Sequence, residues 1–198
     1  VKKLPRIIGL TGRKGAGKDT GAKALMLQGY ENMKFAGALK DMLRTLLFYQ
    51  GADNIAIERM IEGDLKEQPT DYLNGQTPRH AMQTLGTEWG RKLIDDGIWV
   101  SATMKRAVNG GKVVITDVRF PNEKAAIEKV GGVVIGITAD WITPKEGEHE
   151  SEALIDDMIA NLHPGQMVTN HWAEGEEQLL AIQDFRSRFL AQLSALAD

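Results

Sequence analysis

Two hydrophobic rhythms alternate along the chain. Short continuous apolar runs are separated by longer stretches in which apolar residues recur every three or four positions. Arg6-Ile7-Ile8-Gly9-Leu10-Thr11, Lys112-Val113-Val114-Ile115-Thr116-Asp117 and Val133-Val134-Ile135-Gly136-Ile137 are of the first kind and predict buried strands. Residues 30–35 alternate like a second strand, and residues 166–169 predict a short final one. Helices are expected over 18–27, ended by Gly29; over 38–48, with Leu39, Met42, Leu43, Leu46 and Leu47 at helical spacing; and over 54–61. A longer helix opens at Pro78 and carries Met82, Leu85, Trp89, Leu93 and Ile94 as its apolar stripe. Further helices are expected over 99–108, over 122–130 before Gly131-Gly132, and over 174–197. Residues 63–77, with Pro69 and Asn74-Gly75, and residues 140–165, polar and acidic, read as inserted loops.

Buried strands alternating with helices imply an α/β fold, a parallel sheet with helices on both faces. The 198 residues suit one compact domain. No repeat or low-complexity linker divides them.

Composition adds exclusions. No run approaches the roughly 20 apolar residues of a membrane span, and the N-terminal residues enter a strand without a signal-peptide core. With no cysteine there is no disulfide, thiolate metal site or cysteine nucleophile. A cytoplasmic location fits this pattern. The net charge of −3 divides unevenly, with +6 over residues 1–139 and −9 over 140–198. A basic body suits a small anionic substrate. The acidic tail, mostly a solvated face, argues against a partner such as a nucleic acid polymer, which needs a basic stripe.

The chemistry concentrates first between the opening strand and the helix after it. Gly12-Arg13-Lys14-Gly15-Ala16-Gly17-Lys18-Asp19-Thr20 contains the Gly-x4-Gly-Lys core of a phosphate-binding loop. Glycines let the backbone turn so that successive N–H groups point inward, and the helix beginning near Lys18 adds the positive end of its dipole. Lys18 supplies a point charge for the β- and γ-phosphates. The position that usually holds a hydroxyl residue for Mg²⁺ is Asp19, with Thr20 next. A carboxylate beside phosphates is repulsive unless a cation lies between them. Asp19 is therefore expected to meet Mg²⁺, directly or through water, assisted by Thr20; the alternative is that Asp19 only favours the helix N-terminus.

A second acid, Asp117, ends an apolar run in the manner of a Walker B strand, and Arg119 follows at the same rim. Ligands of open α/β sheets bind off the carboxyl ends of strands, so Asp117 is expected near the phosphates as a metal or catalytic group. Many buried strands also end in Asp without such a role. Arg79 and Gln83 share one helix face at i,i+4. Arg91 lies one turn beyond Glu88, either in a surface salt bridge with it or, with Arg79, in a clamp for a phosphorylated second substrate.

These pieces, in this order, resemble the bacteriophage deoxynucleoside monophosphate kinases, a branch of the P-loop nucleoside monophosphate kinases. The likeness is carried by the Gly-Lys-Asp ending of the loop; by Phe35-Ala36 with Leu39-Lys40; by Pro78-Arg79, Gln83-Thr84-Leu85-Gly86-Thr87-Glu88-Trp89-Gly90-Arg91 and Trp99-Val100; by Thr116-Asp117-Val118-Arg119-Phe120-Pro121-Asn122-Glu123; and by His149-Glu150-Ser151-Glu152. The resemblance spans residues 6–152. It implies the P-loop kinase fold with a five-stranded parallel sheet, a monophosphate-binding insertion over about 36–100 and a lid over about 140–165. It also implies transfer of the γ-phosphoryl group of ATP, with Mg²⁺, to a deoxynucleoside monophosphate, in a homodimer. By the same likeness the loop residues and Lys18 hold ATP, Arg119 stabilises charge on the transferring group, and Asp117 serves the catalytic centre. Lys40, Arg79, Gln83, Trp89, Arg91 and Glu152 then belong to the acceptor side. Lids of such kinases often carry arginines; residues 140–165 contain none and only Lys145, which shifts the catalytic cations to the body of the protein.

Two rivals remain at this level. One is another small-molecule kinase, acting on phosphomevalonate or dephospho-coenzyme A, since the loop reads only phosphates. The other is a nucleotide-dependent switch. A GTPase would carry Asn-Lys-x-Asp and Asp-x-x-Gly segments, and neither occurs. His80, His149, His163 and His171 lack the spacing of a metal-hydrolase ligand set.

Overall fold

The computed structural model describes residues 4–142, 150–171 and 178–196, with backbone only at 150–152 and 178–180. The described residues contain a five-stranded sheet of order β2-β3-β1-β4-β5, parallel throughout. Its strands are β1 (Ile7–Thr11), β2 (Tyr30–Met33), β3 (Lys112–Ile115), β4 (Val133–Ala139) and β5 (Met167–Asn170). The helices are α1 (Lys18–Met26), α2 (Gly37–Tyr49), α3 (Asn54–Ile61), α4 (Pro78–Gln83), α5 (Ile98–Asn109), α6 (Pro121–Lys129), α7 (Glu150–Ala160) and α8 (Gln178–Ala195). No helix among the described residues is long and apolar enough to cross a membrane.

The chain divides into two compact units. One is drawn from the residues up to Lys34 and from Met104 onward, the other is Phe35–Thr103. In the first unit β1 is wholly buried, because both faces of the sheet are covered. Ile8 and Leu10 point into a core with Leu25 of α1 and with Phe185, Phe189 and Leu193 of α8. Those α8 residues recur every fourth position, which places them on one helix face, and the two rings stack at 6.0 Å. On the opposite face Gly9 lets α6 approach: a Cβ there would stand 2.6 Å from Ile127 Cδ1. From β1 the chain crosses to β2 and β3 on one side, and β4 leads to β5 on the other. The carboxyl ends of β1 and β4 therefore flank the point where the winding reverses, the usual place for a ligand in an open α/β sheet.

The second unit packs Leu39, Leu43 and Leu47 of α2 against Ile57, Met60 and Ile61 of α3, with Met82 and Trp99. Met42 and Leu46, expected in the same stripe, are exposed; a strict i,i+4 seam is narrower than the apolar arc that the spacing suggested. Asp53 caps α3 by accepting from Ala56 N at 2.8 Å.

Two expectations need correction. The helix opened by Pro78 is α-helical only as far as Gln83; Thr84–Ile94 continues it as a π-helix. This wider i→i+5 winding rotates the faces. Gly86 and Gly90 turn inward, while Leu93 is 76% exposed and Ile94 is also exposed. The cause is Trp99, only 4% exposed. Its Nε1 donates to Gly86 O at 2.8 Å, and a Cβ on Gly90 would come within 2.4 Å of its ring. Second, residues 140–165 are not loop throughout. Residues 150–160 form α7, which buries Ile155 and Met158. Residues 143–149, part of the expected lid, lie outside the described residues, as do the first residues expected in the last helix.

Candidate active site

The loop between β1 and α1 takes its shape from its glycines. Gly12, Gly15 and Gly17 have φ of 151°, 88° and 108°, backbone that side-chain-bearing residues avoid. Gly12 also crosses β4 closely, since a Cβ would fall 2.3 Å from the carbonyl oxygen of Ile137. Gly17 caps α1 and lies over Asn170, whose Nδ2 donates to Ala16 O at 3.3 Å. Within the loop Ala16 N donates to Arg13 O at 3.2 Å.

Lys18 begins α1. Its Nζ donates to the carbonyl oxygens of Gly12 and Arg13 at 2.5 and 2.8 Å, so the ammonium is held at the mouth of its own loop. Lys14 and Gly15 are exposed, and Ala16 is buried. Asp19 is exposed in the first turn of α1 and Thr20 beside it is half-buried. The helix N-terminus favours Asp19 as it stands.

Arg13 reaches α7 with its guanidinium. Nε donates to Asp156 Oδ1 at 2.9 Å and Nη2 to Asp156 Oδ2 at 2.5 Å. This fork joins the loop to α7 across 143 positions of sequence.

Asp117 and Arg119 reach the same edge. The segment after β3 bends over the end of β1, where Val118 N donates to Leu10 O at 3.3 Å. Both residues are half-buried. Glu123 holds this bend: 3% exposed, it accepts from Arg119 N at 2.7 Å and Phe120 N at 3.1 Å through Oε2. The N-termini of α6 and of its preceding turn are thereby satisfied. At the ends of β4 and β5, Asp140 and His171 form a close, exposed pair.

The other expected residues belong to the Phe35–Thr103 unit. Lys40 Nζ pairs with Glu62 at 2.8 Å. Arg79, on α4, donates through Nε to Glu67 at 2.7 Å. Gln83 is exposed at the end of α4. Arg91 is half-buried and meets Asp96 at 3.3 Å rather than Glu88, which pairs instead with Lys92 at 2.9 Å. Trp89 is partly exposed and its ring lies 6.1 Å from that of Trp99. Glu152 lies on α7, and its side chain is outside the described residues.

In the same unit Glu58 and Asp64 are bound to arginines. Arg44 beside Glu58 holds that carboxyl below its usual range and is itself raised by the same hydrogen bond. Arg59 lowers Asp64 from 3.8 to about 2.

Three residues of the loop's surroundings had no role from sequence. Glu123 carried a local signal, an acid at the third position of a helix opened by Pro121. Asn170 carried only its place at the end of a strand. Asp156 carried none.

No protein-family model matches the chain. Two solved structures extend over almost all of it: TT1252 from Thermus thermophilus (18% identity, TM-score 0.45, covering 96% of this chain and 99% of that one) and a gluconokinase from Sinorhizobium meliloti 1021 (16%, 0.43, 98% and 95%). A protein of Acanthamoeba polyphaga mimivirus named "Putative deoxynucleotide monophosphate kinase" is 31% identical over 175 residues, 78% of this chain and 88% of that protein. A glycine-shaped strand-loop-helix turn on a parallel sheet, together with identity at this level over most of the relative, gives the conclusion that the chain is a phosphotransferase of the P-loop kinase fold and belongs to the deoxynucleotide monophosphate kinase family.

Proposed function

We propose that the protein transfers the γ-phosphoryl group of ATP to a deoxynucleoside 5′-monophosphate, giving the diphosphate and ADP. The observation that carries this reading is the glycine-shaped loop at the end of β1 with the Lys18 ammonium at its mouth. The name of the mimivirus relative supports the acceptor class.

On this reading the amides of Gly12, Arg13, Lys14, Gly15, Ala16 and Gly17 and the Lys18 ammonium hold the triphosphate. Asp19, Thr20 and Asp117 offer oxygen donors of the kind that a hard Mg²⁺ ion prefers, and two of them adjoin the loop in sequence. When bound, the ion supplies charge neutralisation between the phosphates. Arg119 stabilises charge on the transferring group, and Glu123 keeps the backbone of that residue fixed. The Phe35–Thr103 unit receives the acceptor through Lys40, Arg79, Gln83, Trp89 and Arg91. Glu152 and residues 140–165 complete the lid. Transfer is direct, since positioning and electrostatics suffice without a phosphoenzyme. The family resemblance adds a homodimer, and the composition fits a cytoplasmic location.

The deciding experiment is an ADP-release assay with ATP and Mg²⁺. Its panel is the four deoxynucleoside monophosphates, their ribose counterparts, phosphomevalonate and dephospho-coenzyme A. Turnover with a deoxynucleoside monophosphate is expected; turnover with only the last two would replace this reading by the rival kinase. Within it, Arg119→Ala should lower turnover by about a hundredfold while ATP affinity changes little. Equal turnover would remove Arg119 from the mechanism.

A further inference from the structure

We infer that Asp156 is a positioning residue of the phosphate loop, acting through Arg13. The inference rests on the loop being an ATP site and goes beyond it by assigning a partner from a distant helix.

Arg13 is where three constraints meet. Its carbonyl oxygen accepts from Lys18 Nζ at 2.8 Å and from Ala16 N at 3.2 Å. Its guanidinium is gripped at two points by Asp156. A bidentate fork fixes the plane of the guanidinium as well as its charge. The Arg13 side chain is 13% exposed, against 44% for Asp156, so solvent screens this pair less than an open surface bridge. Holding the side chain restricts the φ and ψ values open to residue 13, and hence the direction of the carbonyl that receives the Lys18 ammonium. The same fork keeps a second cation from collapsing onto the loop, leaving the inward amides and Lys18 to meet the phosphates. α7 lies in the same unit as the loop and buries Ile155 and Met158.

A purely structural salt bridge predicts a different outcome from a positioning one. ATP affinity is measured by calorimetry with Mg²⁺ and no acceptor, for the full chain, Asp156→Asn, Asp156→Glu, Arg13→Ala and the double variant Arg13→Ala with Asp156→Asn. Asp156→Asn keeps the volume and hydrogen-bonding shape of the side chain, so folding is preserved and only charge and fork are lost. It should weaken ATP binding about fivefold, with Asp156→Glu recovering most of that loss. In the Arg13→Ala background Asp156→Asn should have no further effect, because the two residues act as one unit. Unchanged or tighter binding by Asp156→Asn, or an equal loss in both backgrounds, would overturn the inference while leaving the ATP site intact. A full chain that binds no ATP would instead overturn the phosphate-loop reading and this inference with it.

Discussion

The two compact units hold their charged residues by different means. Around the phosphate loop, position is set by backbone: three glycines at positive φ, a strand carbonyl 2.3 Å from where a Cβ would be, and a lysine held by main-chain oxygens. In the Phe35–Thr103 unit the charged candidates Lys40, Arg79 and Arg91 are side chains resting in ion pairs with Glu62, Glu67 and Asp96. Backbone geometry tolerates almost no substitution, whereas an exposed ion pair such as Arg79–Glu67 can exchange partners at little cost.

The largest effect should come from the loop. Gly12→Ala forces a disfavoured φ and a clash with Ile137 O, and is expected to cost about 2–4 kcal/mol and to abolish ATP binding. Denaturant unfolding and calorimetry would measure both; a stable, ATP-binding variant would remove the claim that backbone sets this site. Gly90→Ala is the counterpart in the other unit. Crowding the Trp99 ring should destabilise that unit by about 1–3 kcal/mol while ATP affinity stays within twofold of the parent. Loss of ATP binding in this variant would break the separation.

Arg79→Ala should be milder still. Its partner Glu67 is exposed, so stability should change by less than about 0.5 kcal/mol. The KM for the acceptor should rise about tenfold, with that for ATP unaffected. The smallest effect concerns acid. Asp64 titrates lower in the folded protein than its usual 3.8, at about 2. Its contribution is therefore complete above about pH 4 and fades as pH falls toward 2. Arg59→Met should flatten the pH dependence of the urea midpoint in that window; an unchanged slope would show that the pair contributes nothing.

Much of the fold was legible because its signals are local. β1, β3 and β4 are continuous apolar runs because both sheet faces are covered, and α3 begins beside its own Asp53 cap. The loop's place between β1 and α1 follows from three adjacent segments. The π-helix was not legible, since the inward face of Thr84–Ile94 is chosen by a tryptophan further along the chain. α7 was hidden because four acids are interspersed among its apolar residues. Asp156 was invisible for a stronger reason: no local pattern records which carboxylate a folded sheet will bring to Arg13.

Asn170 carries a consequence for how the protein is made. It supports Ala16 and Gly17 from the last strand, 154 positions after the loop itself. Among the described residues β1 pairs with β3 and β4, whose residues follow about a hundred positions later. Such distant pairings slow folding. The nine residues of the loop thus wait for a partner 154 positions later before they can take their working shape. Nascent chains ending before residue 170 should gain no protection from ATP against proteolysis.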